Sequence, residues 1–214
     1  MELYGYFRSS AAYRVRIALN LKGIGYQPRL VHLTRGGGEQ FAPDYAKINP
    51  QKLVPTLVDD HTALTQSLAI VEYLDETHPE PPLLPRDALA RARVRAIALA
   101  IACDIHPLNN LRVLRYLTRD LGLSEDAKNR WYRHWVETGM AAVEAMLAGH
   151  ADTGRFCHGD QPTLADIALV PQIANARRFD CDLGQCPTAL GIDAACQTLP
   201  AFRAAAPANQ PDAE

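Results

Sequence analysis

FRSSAAYRVRIALNLKG, residues 7–23, carries the reading of the fold: a short apolar run ends in an arginine, two serines follow, and an amphipathic helix begins at once. Upstream, residues 3–7 are rich in aromatic side chains, as suits a first strand running into the core. Ser9 and Ser10 stop that strand. Either can cap the helix, its side-chain oxygen accepting a hydrogen bond from an unpaired N–H one turn in. Ala11, Val15, Ala18 and Leu19 then recur at three- and four-residue spacing, while Tyr13, Arg14, Arg16, Asn20 and Lys22 take other faces. Gly23 offers the positive φ at which helices commonly end. A strand that ends in serines at a helix N-terminus stabilises an anion, because free N–H groups and the positive end of the helix dipole converge there. A thiolate suits that place as well as a phosphate, and the lack of a Gly-rich cradle or GK[ST] argues against a nucleotide. On this stretch alone the plainer reading is that both serines are ordinary N-caps.

Outward from the junction, residues 27–33 read as a second strand, residues 36–41 as a loop, and residues 44–48 as one helical turn. LVPTLVDD (53–60) and TALTQS (62–67) are two short strands joined by a polar turn, hence an antiparallel hairpin. Ser67 caps an amphipathic helix that runs to His78. The order β-α-β-α-β-β-α fits a small mixed sheet with helices on both faces. Pro55 stands at a strand start. A cis bond there would turn the Val54 N–H and C=O outward toward an extended peptide, whereas an ordinary trans proline would simply begin the strand.

PEPPLLP, residues 79–85, cannot continue a helix and favours an extended connector, so two domains follow. Beyond it the chain is rich in Ala, Leu and Arg. Residues 87–116 give a long helical pattern interrupted near His106 and Pro107, and residues 125–147 give a second helix. Thr163 and Asp166 have capping-box spacing ahead of an apolar run, a strong helix start. A short helix follows Thr198, and the Pro- and Ala-rich tail is expected to fray.

With 214 residues, 48% hydrophobic, 21% charged and a net charge of −2, the composition is that of a soluble globular protein. There is no basic excess to recruit nucleic acid, no apolar run long enough for a membrane span, and no leader pattern, so the expected place is the cytosol. Five cysteines without CxxC spacing read as free thiols, mostly packed as small apolar residues, and argue against a zinc site or a disulfide framework. Cys103, beside Asp104 and near His106, is the thiol singled out as a candidate, with a buried inert thiol as the plainer reading.

Together SSAAYRVRIALNLKG, NPQKLVPTL, LTQSLAIVEYL and PTLADIALVPQ resemble the glutathione transferase superfamily. More narrowly, the SSxxxRVRIAL pattern, DIHPLNNLRVL, VPQIANARRF and the terminal QPD look like its zeta class, which contains maleylacetoacetate and maleylpyruvate isomerases. The match covers nearly the whole chain. It implies an α/β thioredoxin-like N-terminal domain (1–80) that binds glutathione, a Pro-rich linker (81–86), an all-α substrate-binding domain (87–214) and a homodimer. It further implies that Ser9 and Ser10 hold and activate the glutathione sulfur, and that Val54-Pro55 is the cis-Pro turn pairing with the cysteinyl part. Gln66 and Ser67 would take the γ-glutamyl end, and Gln40 would reach toward the glycyl end. Thr163 and Asp166 match a structural folding motif.

The implied chemistry is cis-trans isomerisation of a maleyl keto acid by thiolate addition, bond rotation and elimination, with a place in tyrosine degradation. Arg8 and Arg178 are the candidate carboxylate binders, and His106 and Asn110 resemble pocket residues of the maleylpyruvate branch. Arg14 and Arg16 are expected to pair with carboxylates or to line a subunit interface. Many relatives have Cys directly after the second serine; here Ala11 stands there, which removes that thiol and leaves the serine mechanism untouched. Some maleylpyruvate enzymes carry Arg after NN, where this chain has Leu111, and this tilts the reading toward maleylacetoacetate. Two alternatives stand beside it: a transferase or dehalogenase acting on small α-halo acids, and a non-catalytic thioredoxin-like binding module.

Overall fold

Glu2–Gly5 forms strand β1 in the computed structural model, which describes residues Met1–Glu214. After α1 (Ser10–Leu21) come β2 (Gln27–Leu30), two 3-10 turns, α2 (Pro43–Ile48), β3 (Thr56–Asp59), β4 (Thr62–Thr65) and α3 (Ser67–Thr77). The expected β-α-β-α-β-β-α order is therefore present. The sheet runs β2-β1-β3-β4, with β1 and β2 parallel and the other pairs antiparallel. Register fixes what meets at its end. Gly5 lies opposite Leu30, Tyr4 opposite Thr56, and Thr56 opposite Thr65. The C-terminal ends of β1, β2 and β4 and the N-terminal end of β3 consequently share one edge. Gly23, at φ +65°, ends α1 as its position suggests.

Two expectations for this region are corrected. Gln66 rather than Ser67 is the N-cap position of α3, and Ser67 is the first helical residue. Helix α1 is not amphipathic in the simple sense: Ser10 and every residue from Ala12 to Leu19 are buried, Arg14 and Arg16 among them. The reason is that α1 packs against α3 and also against a returning C-terminal segment. A guanidinium buried there requires acceptors. Arg16 finds the carbonyls of Ala205 (2.9 Å), Phe7 (3.0 Å) and Tyr6 (3.4 Å) in place of the expected carboxylate.

Lys22 fastens the end of α1. Its fully buried side chain donates to Asp75 Oδ1 (2.6 Å) and to the carbonyls of His78 (2.7 Å) and Pro81 (2.6 Å). Asp75 also accepts from the Leu83 amide at 2.8 Å. Lys22→Met should lower the unfolding free energy by about 3 kcal/mol, because it strands the Asp75 carboxylate and two carbonyls. The check is a lower urea midpoint at unchanged slope.

By compactness the chain divides into Met1–Leu83 with Gln197–Glu214, and Leu84–Cys196. The second unit is helical: α4 (Ala88–Leu99), α5 (Leu111–Arg115), α6 (Glu125–Leu147), α7 (Leu164–Arg178) and α8 (Pro187–Gln197). The interruption expected near His106 is a π-helical segment, Ala100–Ile105, followed by a 3-10 turn, His106–Asn109. Gly139 of α6 permits this path, since a Cβ there would come within 2.3 Å of Ile105 Cγ1. Helix α7 begins at the Thr163 and Asp166 capping box. Helix α8 has no counterpart in the sequence reading, although Ala189, Ile192 and Cys196 show helical spacing. Its first amides, Thr188 and Ala189, are capped from α6 by the Glu144 carboxylate, each at 2.9 Å.

The C-terminal tail does not fray. α9 (Pro200–Ala205) receives Tyr13 Oη at the Phe202 carbonyl (3.4 Å) and Asn20 Nδ2 at the Ala201 carbonyl (3.0 Å). Further on, Asp212 Oδ2 accepts from the Phe7 amide at 3.0 Å, and Glu214 Oε1 meets His32 Nε2 at 3.1 Å. All five cysteines are free; Cys157, Cys186 and Cys196 are buried, Cys181 is half-buried and Cys103 is exposed. No helix is long and apolar enough to cross a membrane.

Candidate active site

The shared sheet edge gathers the residues that sequence reading assigns to a thiol peptide. Leaving β1, Phe7 packs with Tyr6, Val31, Tyr45 and Val54 in one cluster, which sets the turn into α1. Ser9 is the N-cap, and its Oγ accepts from the Ala12 amide at 3.1 Å. As a hydroxyl it keeps its O–H for donation. Ser10 is the first helical residue and only 4% exposed, whereas Ser9 is half-buried. Beside them the Val54-Pro55 bond is cis. No hydrogen bond within the chain takes the Val54 N–H or C=O. Paired backbone groups left open at a buried residue suit an extended peptide strand.

At the neighbouring corner Gln66 has φ 69° and ψ 112°. A non-glycine residue held there costs on the order of 1–3 kcal/mol and marks a place where geometry serves a site. Its Nε2 donates to Gln51 Oε1 at 3.0 Å. Ser67 follows at the N-terminus of α3, buried, its Oγ accepting from Arg14 Nη1 at 3.2 Å. An anion at that corner would meet the helix dipole, a serine O–H and, behind it, a buried guanidinium. Gln40, reached from the end of β2, is 5% exposed; its Nε2 donates to the Leu33 carbonyl at 3.5 Å while its buried Oε1 has no partner. The open Val54 N–H and C=O suit a peptide backbone, the Ser9 O–H a thiol and the α3 N-terminus an anionic end, while the open Gln40 Oε1 suits an N–H donor. Arg8 is exposed, its guanidinium 4.7 Å from the centre of the Phe7 ring.

The second unit carries the other three candidates. Asn110 is the N-cap of α5, its Oδ1 accepting from the Arg112 amide at 3.1 Å, which leaves its NH2 to donate. His106 is half-buried where π-helix passes into 3-10 turn. Arg178 closes α7, exposed, 4.8 Å over the Phe179 ring. Phe179 in turn stacks on Tyr132 with centroids 3.7 Å apart, and Arg133 Nε holds the Phe179 carbonyl at 2.9 Å. The Tyr132 hydroxyl is driven well above its ordinary pKa by burial, so it remains protonated.

Residues 3–82 match the family model for the glutathione S-transferase N-terminal domain, and residues 126–204 match that for the C-terminal domain. A solved structure described as the holo form of maleyl pyruvate isomerase, a bacterial zeta-class glutathione S-transferase, is 49% identical, with each chain covered over 100% and a TM-score of 0.97. The chain belongs to the zeta class of the glutathione S-transferase family. Among curated zeta-type relatives, the probable maleylacetoacetate isomerase of Vibrio cholerae is 54% identical over 99% of this chain and 97% of its own length. The maleylacetoacetate isomerase of Anaeromyxobacter dehalogenans 2CP-1, solved with bound dicarboxyethyl glutathione and citrate in its active site, is 44% identical, covering 100% of this chain and 97% of its own, with a TM-score of 0.86.

Sequence reading missed the supporting groups of the chain's first unit. Arg14 behind Ser67 and Arg16 behind the Ser9 turn were expected to pair with carboxylates or to line a subunit interface; Arg14 instead donates to a serine hydroxyl and Arg16 to backbone carbonyls. The available signal was their flanking by Val15, Ala18 and Leu19, which leaves little of α1 for water.

Proposed function

We propose that this chain is a glutathione-dependent cis-trans isomerase converting maleylacetoacetate to fumarylacetoacetate. The observation that carries the proposal is the sheet edge where the Ser9 hydroxyl, the unpaired Val54 N–H and C=O, and the α3 N-terminus stand together. Bound glutathione would supply a thiolate that adds reversibly to the cis double bond and leaves after rotation about it. The protein's work is to hold that sulfur ionised and to orient a dicarboxylate. A thiol with a pKa of about 8.5 is mostly protonated at neutral pH, and lowering it by about two units corresponds to roughly 2.7 kcal/mol. Ser9 donates its O–H at the positive end of α1, and the helix dipole adds to it. Ser10, buried beside it, completes the turn.

The Val54 backbone would pair with the cysteinyl residue, Gln66 and Ser67 would hold the γ-glutamyl carboxylate, and Gln40 would meet the glycyl end. Arg8 and Arg178 are the proposed carboxylate donors, with His106 and the Asn110 amide as further polar contacts. Stacking of Phe179 on Tyr132 gives Arg178 a rigid base, so less side-chain entropy is lost when it binds a carboxylate. The substrate class draws support from the A. dehalogenans relative: a dicarboxyethyl group is what addition of a thiol across the double bond of maleate or fumarate leaves, and a maleyl keto acid presents the same cis double bond with an acyl group in place of one carboxyl. In this proposal glutathione is held by residues 1–80 and the keto acid by the helical part from Asp87 onward, in a cytoplasmic homodimer.

Maleylpyruvate is the second reading, favoured by the zeta-class structure described as that isomerase. Glutathione-dependent turnover of the two keto acids, measured side by side, separates them. Faster conversion of maleylacetoacetate is expected. Preference for maleylpyruvate would transfer the assignment, and binding of glutathione without turnover of either would leave a transferase or dehalogenase.

A further inference from the structure

The turn that presents Ser9 is held by groups far from it in sequence. Two residues precede Arg8 and Ser9, Tyr6 and Phe7, and three of their backbone groups are gripped from outside the turn. Arg16, 4% exposed, donates from Nη2 to the Phe7 carbonyl (3.0 Å) and from Nη1 to the Tyr6 carbonyl (3.4 Å). The Tyr6 carbonyl also accepts from the Ser9 amide at 2.9 Å. The remaining group, the Phe7 N–H, goes to Asp212 Oδ2 at 3.0 Å across 205 positions of sequence. Arg16 and Asp212 attract one another, and Tyr26 and Tyr13 are the other titratable groups facing Arg16. Burial pushes the Arg16 guanidinium down to about 10, still fully charged at neutral pH.

The tail that delivers Asp212 is itself anchored. Arg16 Nε holds the Ala205 carbonyl at 2.9 Å, and Gln210 Nε2 holds the carbonyls of Ala204 (2.9 Å) and Ala206 (3.0 Å). Beyond it Glu214 reaches His32 Nε2, whose Nδ1 accepts from the Arg35 amide at 2.9 Å. A charge-assisted hydrogen bond to a backbone N–H is about twice as strong as a neutral one. Ordering a terminal segment of this kind opposes its own entropy, so it persists only where such contacts hold it.

We infer that Asp212 is a positioning residue for thiol activation, its carboxylate fixing the Phe7 peptide, and through it the Ser9 hydroxyl, against the sulfur. The inference rests on the reading of Ser9 given above. It makes the C-terminal QPD part of the active-site scaffold. An activating hydroxyl displaced by a few tenths of an ångström donates poorly, because hydrogen bonds weaken steeply with misalignment.

The test titrates the ultraviolet thiolate absorbance of bound glutathione in the full-length protein. Asp212→Ala is expected to raise the midpoint by about half to one pH unit, which from a midpoint of about 6.5 lowers the thiolate fraction at neutral pH about 1.5- to threefold, and about three- to tenfold well below the midpoint. At neutral pH kcat falls to match, while the glutathione KM moves less than about twofold. Asp212→Asn, which keeps an acceptor for the Phe7 N–H, restores the midpoint. Should Asp212→Ala be too unstable to purify, Asp212→Glu keeps the charge but displaces the acceptor and carries the same expectation. A wild-type midpoint in these variants, with only a lower melting temperature, overturns the inference. Ser9→Ala, run alongside, tells the two ideas apart: a midpoint moved by Ser9→Ala but not by Asp212→Ala sinks the Asp212 role alone, and one moved by neither sinks both.

Discussion

Ser9→Ala is expected to cut glutathione-dependent isomerisation by about 10- to 25-fold at neutral pH, the upper end being a thiol pKa that returns from about 6.5 to about 8.5 on loss of the hydrogen bond. The deficit should shrink as pH rises. Below its pKa a thiol reacts in proportion to its ionised fraction, so a raised thiol pKa matters most in acid and least once the solution itself removes the proton. The more basic thiolate of the variant is also intrinsically the better nucleophile, which narrows the gap further at high pH. Ser9 is also the N-cap that accepts from the Ala12 amide, so the same substitution costs about 1 kcal/mol of stability. Ser9→Thr keeps both cap and hydroxyl and should recover most of the rate. A deficit independent of pH would mean that Ser9 acts by some route other than thiol ionisation.

Asp166→Ala is expected to be the most destabilising single change considered, by about 4 kcal/mol. Asp166 is wholly buried, and its carboxylate accepts from the Thr163 amide (2.7 Å), the Thr163 hydroxyl (2.9 Å) and the Cys157 amide (2.8 Å). Burial pushes its carboxyl pKa up against the pull of those donors. Alanine would leave all three donors unsatisfied in the interior, each at about 1–3 kcal/mol. The consequence should also reach α7, whose last turn carries Arg178, the proposed carboxylate donor. Thermal and urea unfolding read the loss; a change under about 1 kcal/mol would show that water or backbone rearrangement replaces the carboxylate.

What could be read from sequence was what local chemistry determines. The strand-serine-helix junction, the hairpin around Asp60, Gly23 at positive φ and the Thr163 and Asp166 box each depend on residues a few positions apart. So does the apolar spacing of α6, whose bounds the structure reproduces. What escaped depends on partners distant in sequence. α8 is capped by Glu144 from another helix, and the residue that precedes it is Cys186, so no capping side chain at the N-cap position announced it. The Pro- and Ala-rich tail was expected to fray, yet Asp212 and Glu214 find Phe7 and His32 only in the folded chain. Arg14 and Arg16 were expected to meet carboxylates or a subunit interface because sequence shows a guanidinium's charge and cannot show the carbonyls or the serine hydroxyl that accept from it in the folded chain. Sequence likewise left Ser9 and Ser10 equivalent, whereas in the folded chain Ser9 is the N-cap and the more open of the two.

The account stands on glutathione acting as a catalyst that is returned unchanged. The measurement that tests it most directly gives the protein maleylacetoacetate in large excess over glutathione and follows both the fumaryl product and the free thiol. Complete conversion of the keto acid with the thiol undiminished is the predicted result. Conversion that stops once an equal amount of glutathione has been consumed would contradict it and make the protein a transferase.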